Sequence, residues 1–257
     1  MAERVKDKVS IVTGAAQGMG LAIATALFNE GAKVTLVDIS EKTVKDAAQQ
    51  LDPTNKRTIG AVVDVTKRDQ VCDFVSWLKS EWGRIDILVN NAGGALHTPH
   101  RLEEIKEKDW DLVLDVNLKG AFFFCQAVIP EMVKQEVGAI VNMSALAAHW
   151  RASLAGVQYV AAKAGLEGLT RQLAYDWGKQ GIRVNAVAPT VTLTGDRVRG
   201  LWEQKSSQEQ EKVLAAIPLG RLSTPQEIAA VVVFLASEDA GYITGITVDV
   251  CGGRYLR

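Results

Sequence analysis

Short apolar runs rich in β-branched residues recur along the chain: VSIVTG, KVTLVD, IGAVVDV, DILVNNAG, GAIVNMS and IRVNAVAP. Runs without a polar alternate face fit strands buried on both sides of a parallel sheet. Between them, apolar positions fall at three- and four-residue steps over Leu21–Asn29, Val44–Leu51, Gln70–Trp82, Trp110–Gln135 and Ala155–Gln180. That spacing gives one apolar stripe on a helix. A helix over Pro225–Ser237 and a strand over Thr247–Val250 complete the alternation. Strand–helix alternation predicts right-handed βαβ units, and hence an α/β fold: a doubly wound parallel sheet flanked by helices in three α/β/α layers. No repeat or linker interrupts the pattern, so residues 1–257 read as one domain. The polar, poorly patterned stretch at about 190–218 is too long for a simple connection and reads as a substrate-binding lid.

Composition narrows the function. The 257 residues are 47% hydrophobic and 23% charged, with a net charge of −1. Without a basic or acidic run, neither nucleic acid nor a membrane surface is an expected partner. The N-terminus MAERVKDKVS has no apolar signal core, and no uninterrupted apolar stretch predicts a membrane-spanning helix. Cys72, Cys125 and Cys251 are scattered, which argues against a disulfide framework and for the reducing cytoplasm. His97 and His100 have a ligand-like gap but no matching cysteine or carboxylate, so no metal site is expected.

The segment VTGAAQGMG (Val12–Gly20) joins the first strand to the first helix. Glycines here allow a tight turn and close backbone approach. Its N–H groups and the positive end of the helix dipole favour a pyrophosphate. A glycine turn with no ligand is the plainer reading of this motif alone. The second strand adds Asp38, 18 residues beyond Gly20, placed to accept both hydroxyls of an adenine ribose. A carboxylate there repels a 2′-phosphate. Ala15 and Ala16 put no arginine in the loop, and Ile39 follows Asp38, so the pattern favours NAD over NADP.

The spacing G-x-x-x-G-x-G resembles that of the short-chain dehydrogenase/reductase family, single-domain type. So do NNAG (Asn90–Gly93), DVNLKG with Asn117, Ser144 after GAIVNM, YVAAK with Tyr159 and Lys163, and PQEIAAVVVFLASEDAGYITG. The similarity runs through essentially the whole chain. It implies a Rossmann-type fold and hydride transfer between NAD(H) and a secondary alcohol or ketone. Tyr159 and Lys163 lie one helical turn apart, on one face. The resemblance implies that Tyr159 is the general acid/base, and that Lys163 lowers the phenol pKa and binds the nicotinamide ribose. It implies that Ser144 hydrogen-bonds the substrate oxygen and that Asn117 holds a water leading to Lys163. It places Gly14, Gln17, Gly18, Met19, Gly20, Asp38, Ile39, Asp64, Val65, Asn91, Ala92, Gly93, Pro189, Thr192 and Thr194 around the cofactor, with Tyr159 and Lys163. Two features depart from the pattern. Ser144 and Tyr159 are two residues further apart than is common, and Thr190 replaces the usual glycine after Pro189.

Expected pocket walls are Gly94–Leu96, Ala145–Leu154 and the lid from Gly195. His149, Trp150 and Arg151 are bulky for such a loop. They recognise an anionic or hydroxyl-rich substrate, or else face solvent or another subunit. Arg197 and Arg199 raise the same choice, and Trp202 is a candidate cover for the site. The apolar AFFFCQAVI helix suggests faces buried by other subunits, and the resemblance implies a homotetramer with the tail CGGRYLR at an interface. Two alternatives stand beside the NAD-dependent alcohol dehydrogenase or carbonyl reductase: an NADP-dependent 3-oxoacyl reductase, and a dinucleotide-sensing protein without catalysis. A sugar-nucleotide epimerase is expected to need a further substrate domain, for which the chain leaves no room.

Overall fold

The computed structural model describes residues 3–152 and 155–256, without the side chains of Asp196 and Arg197. A seven-stranded, all-parallel sheet is built from β1 (Val9–Thr13), β2 (Lys33–Asp38), β3 (Thr58–Val62), β4 (Ile87–Asn90), β5 (Gly138–Met143), β6 (Ile182–Pro189) and β7 (Thr247–Val250). Their order is β3-β2-β1-β4-β5-β6-β7. The winding direction reverses between β1 and β4, where Val12 pairs with Val89. Clefts for ligands open beyond the carboxyl ends of strands at such a reversal.

The helices are α1 (Gly18–Asn29), α2 (Glu41–Leu51), α3 (Arg68–Trp82), α4 (Glu107–Leu114), α5 (Gly120–Gln135), α6 (Val157–Trp177), α7 (Gly195–Glu203), α8 (Ser207–Ala215) and α9 (Pro225–Ala236). Strand residues sort alternately into two cores, as a pleated strand requires. Val12, Val34, Leu36 and Val89 pack with α1, α2 and α9. Ile11, Val37, Leu88 and Ile140 pack with α3, α5 and α6.

The run expected as one helix over Trp110–Gln135 carries a π-helical turn, Asp115–Lys119, between α4 and α5. By length and composition the run Glu107–Gln135 could cross a membrane. Its buried residues, Phe124, Val128, Ile129 and Met132, instead fill the core under the sheet. The 190–218 stretch holds two helices, α7 and α8. Ser206 caps α8: its Oγ accepts from the Glu209 N–H while the Glu209 carboxylate accepts from the Ser206 N–H. This reciprocal pair satisfies two otherwise orphaned donors.

Candidate active site

Beyond β1 the chain turns through Gly14 and Gly18, with φ of +63° and +59°, angles that a side chain makes costly. Gly20 serves close packing: a Cβ there would stand 2.1 Å from the Gly14 carbonyl oxygen. No side chain caps the start of α1, so its first N–H groups are left for a ligand. Asn91 braces this loop. Its Nδ2 donates to the Thr13 and Gly14 carbonyls at 2.9 and 3.0 Å, and Thr13 Oγ1 accepts the Asn91 and Ala92 N–H groups at 3.0 Å.

A cleft of about 760 Å³ runs along the strand ends, within the usual range for cofactor sites. Gly14, Gln17, Gly18, Met19 and Gly20 form one wall, and Asp38, Ile39, Asp64 and Val65 one end. Asn91, Ala92, Gly93, Ser144, Tyr159, Lys163, Pro189, Thr192 and Thr194 continue it. Asp38 is fixed at its end: Oδ2 accepts the Ala16 N–H at 3.1 Å and Oδ1 the Ser40 N–H at 3.2 Å. Asp64 Oδ1 accepts from Thr66 N–H and Oγ1 at 2.9 and 2.7 Å, closing a turn.

Tyr159 and Lys163 project from the first turns of α6 into the other end. Lys163 Nζ lies 5.7 Å from the Tyr159 ring centroid and donates to the Met143 carbonyl at 2.6 Å. Loss of water around the buried ammonium pushes its pKa down to about 8. Asn117 sits in the π turn, buried behind the cleft rather than lining it. Its Oδ1 accepts the Gly94 N–H, and its Nδ2 donates to the Gly94 and Val113 carbonyls, all at 2.9 Å. The amide therefore locks the Gly94 wall to the helix. π turns of this kind recur at functional sites.

Three expected site residues are placed differently. Ser144 lines the cleft, but its hydroxyl donates away from it, to Glu167 Oε1 at 3.0 Å, with the Lys163 carbonyl 3.4 Å away. The hydroxyl has one proton, so while it is bonded to Glu167 it offers none to a substrate oxygen. His149 does not line the cleft. Its Nδ1 stands 3.0 Å from Glu167 Oε1 and its Nε2 3.0 Å from Asp249 Oδ1. The two carboxylates draw the imidazole into the body of the protein. Trp202, on α7, also lies outside the lining, half-buried, with its carbonyl accepting from Gln210 Nε2 at 2.9 Å. Trp150 and Arg151 do line the cleft. Of the expected lid and wall, Ser153, Leu154 and the Arg197 side chain lie outside the described residues; Arg199 is exposed and away from the lining.

Arg254, in the tail, is a lining residue that motif spacing missed. The turn at Gly252 and Gly253, φ +61° and +83°, carries it back over the cleft, where Nη1 donates to Thr190 Oγ1 at 3.2 Å. Thr190, the departure from the family's glycine, is thus its anchor. Leu96 and His97, consecutive cleft residues with φ of +51° and +58°, were no part of any motif. Such angles cost non-glycine residues about 1–3 kcal/mol each and cluster at functional sites. Among the described residues, no group of histidine, cysteine and carboxylates is arranged to hold a metal.

Comparison with known proteins agrees with this geometry. A family model described as enoyl-(acyl carrier protein) reductase matches residues 14–254. A 3-oxoacyl-[acyl-carrier-protein] reductase of Thermotoga maritima is 38% identical over 253 residues, 98% of this chain and 100% of the relative. An NAD-dependent glycerol dehydrogenase of Listeria innocua is 39% identical over 257 residues, 98% and 96% of the two chains. A solved structure assigned to a short-chain alcohol dehydrogenase of Sinorhizobium meliloti 1021 superposes with a TM-score of 0.90 at 34% identity, covering 99% of this chain and 98% of that one. The chain belongs to the short-chain dehydrogenase/reductase family of nicotinamide-using oxidoreductases.

Proposed function

We propose that this protein is an NAD(H)-dependent oxidoreductase that moves a hydride between nicotinamide and a secondary alcohol or ketone. The observation that carries the reading is the Tyr159–Lys163 pair, one turn apart on α6, at the cleft end opposite Asp38. The cleft fits a dinucleotide: uncapped N–H groups for a pyrophosphate at one wall, and a fixed carboxylate for ribose hydroxyls at one end. Gly14, Gln17–Gly20, Asp38, Ile39, Asp64, Val65, Asn91–Gly93, Tyr159, Lys163, Pro189, Thr192 and Thr194 would hold NAD, which supplies the hydride acceptor or donor. Tyr159 gives a proton to the substrate oxygen in reduction and takes it in oxidation. The Lys163 charge stabilises the phenolate that oxidation requires. The fixed charge of Asp38 favours NAD, the cofactor in the name of the similar glycerol dehydrogenase, and disfavours a 2′-phosphate. Asn117 holds the Gly94 wall and, by the family resemblance, is the expected holder of a water leading to Lys163.

Ser144 keeps its expected role at the substrate oxygen only by turning away from Glu167. That commitment favours a second reading, a dinucleotide-binding protein without turnover. One experiment separates the two: NAD and NADP are offered with a panel of secondary alcohols and ketones, and reduced-nicotinamide absorbance is followed. Turnover with NAD supports the enzyme; binding of NADH without turnover of any panel member supports the second reading. Turnover with NADP and 3-oxoacyl thioesters alone would support the reductase instead. The three unpaired cysteines support a cytoplasmic protein. Half-exposed Trp110 and Phe122, on α4 and α5 and outside the cleft lining, support burial against other subunits, and with the family resemblance a homotetramer.

A further inference from the structure

The substrate end of the cleft holds an unusual charge arrangement. Two guanidinium groups lie against the Trp150 ring: Arg151 Cζ is 4.9 Å from the ring centroid and Arg254 Cζ 5.4 Å. All three side chains line the cleft. Neither arginine forms an ion pair among the described residues. Glu167 and Asp249 both stand against His149. Among the described residues Arg254 Nε is buried without a hydrogen-bond partner, and Nη1 donates to the Thr190 hydroxyl. Lost hydration, and then the charge of Arg151, push the Arg254 guanidinium below its ordinary pKa.

This arrangement carries a cost. Two like charges lie against one aromatic ring and repel each other, and a buried guanidinium donor goes unsatisfied among the described residues. An oxyanion placed between them removes both penalties, with the guanidinium fork matched to a carboxylate or sulfonate. Thr190 follows the strand end at Pro189, so the anion would sit at the Tyr159–Lys163 end of the cleft and not at Asp38. The Trp150 ring offers an apolar surface for the carbons joining anion and alcohol.

The geometry points to a substrate that carries a compact oxyanion, a carboxylate or sulfonate, on the same short chain as its secondary alcohol, held by Arg151 and Arg254 over Trp150. This inference rests on the oxidoreductase reading for the identity of the reacting group, and on the arginine pair for the anion.

The test is titration calorimetry of the full chain loaded with NADH, using butanoate, propane-1-sulfonate and the neutral butanamide. Both anions are expected to bind at least about ten-fold more tightly than butanamide. Which binds better decides between carboxylate and sulfonate. Arg254→Gln and Arg151→Gln should each weaken the anions by about five-fold or more and leave butanamide unchanged. Arg151 is exposed, so its variant reads the site even if Arg254→Gln folds poorly. Equal binding of butanoate and butanamide, or anion binding that survives the double substitution, overturns the inference. So does an Arg254→Gln variant that loses NADH affinity while keeping the anion. If the wild-type chain takes up no NADH, the oxidoreductase reading fails, and the same titrations on the unloaded chain still decide the arginine site.

Discussion

Lys163 is held at a cost that can be measured. The ordinary lysine pKa of 10.5 falls to about 8 through burial. Below pH 8 both folded and unfolded chains hold the proton, so the folded state carries the whole penalty of a buried ammonium. Between pH 8 and 10.5 the folded chain has released its proton and the unfolded chain keeps it, so stability rises with pH. At 1.36 kcal/mol per unit, the rise is about 3 kcal/mol, most of it complete by pH 10. Lys163→Met keeps the side-chain bulk and has nothing to titrate there. The lost Nζ bond to the Met143 carbonyl is a constant offset and drops out of the pH dependence. Urea unfolding of both proteins at pH 7, 8, 9 and 10 isolates the effect. Over this range the stability of wild type relative to the variant should climb by about 2.5 kcal/mol, equivalent to roughly 5–10 °C in Tm for a chain of this size. Curves that stay parallel within about 0.5 kcal/mol would show a lysine titrating at its ordinary value, and the desolvation argument would be wrong.

Other substitutions probe other parts of the site. Asp38→Ala removes the fixed acceptor of two ribose hydroxyls and should weaken NAD by about 10–100-fold with little loss for NADP, by calorimetry; equal losses would undo the cofactor assignment. Gly20→Ala forces a Cβ against the Gly14 carbonyl, where backbone and not a side chain must give way. It should lower stability by about 1–3 kcal/mol and NADH affinity by more than about ten-fold; unchanged NADH affinity would mean the loop is not the phosphate cradle. Ser144→Ala leaves Glu167 one donor short and should cost about 1–2 kcal/mol of stability but less than about ten-fold in kcat. A hundred-fold fall in kcat at unchanged stability would return Ser144 to the substrate oxygen.

The layout of the sheet was legible because strands buried on both faces leave continuous apolar runs, as at Val9–Thr13 and Ile182–Pro189. The glycine loop, Asp38 and the Tyr159–Lys163 pair were legible because each lies within one motif whose spacing dictates its geometry. α8 also carried a signal, the Ser206–Glu209 capping pair, hidden by the poor apolar patterning around it. The rest depends on distant partners. Ser144 follows β5, and nothing in its own segment shows that its hydroxyl meets Glu167, 23 residues on. His149 is drawn inward by Glu167 and by Asp249, which is 100 positions away in the chain. Arg254 reaches the cleft only because β7 lies beside β6 and the glycine turn after it folds back.

The central claim is that Tyr159 moves the proton while the dinucleotide moves the hydride. It is tested most directly by Tyr159→Phe, with NADH affinity and turnover measured on the same preparation. The expected result is a fall in kcat of at least about a hundred-fold, with the NADH dissociation constant within about three-fold of wild type. A variant that binds NADH normally and keeps most of its turnover would contradict it.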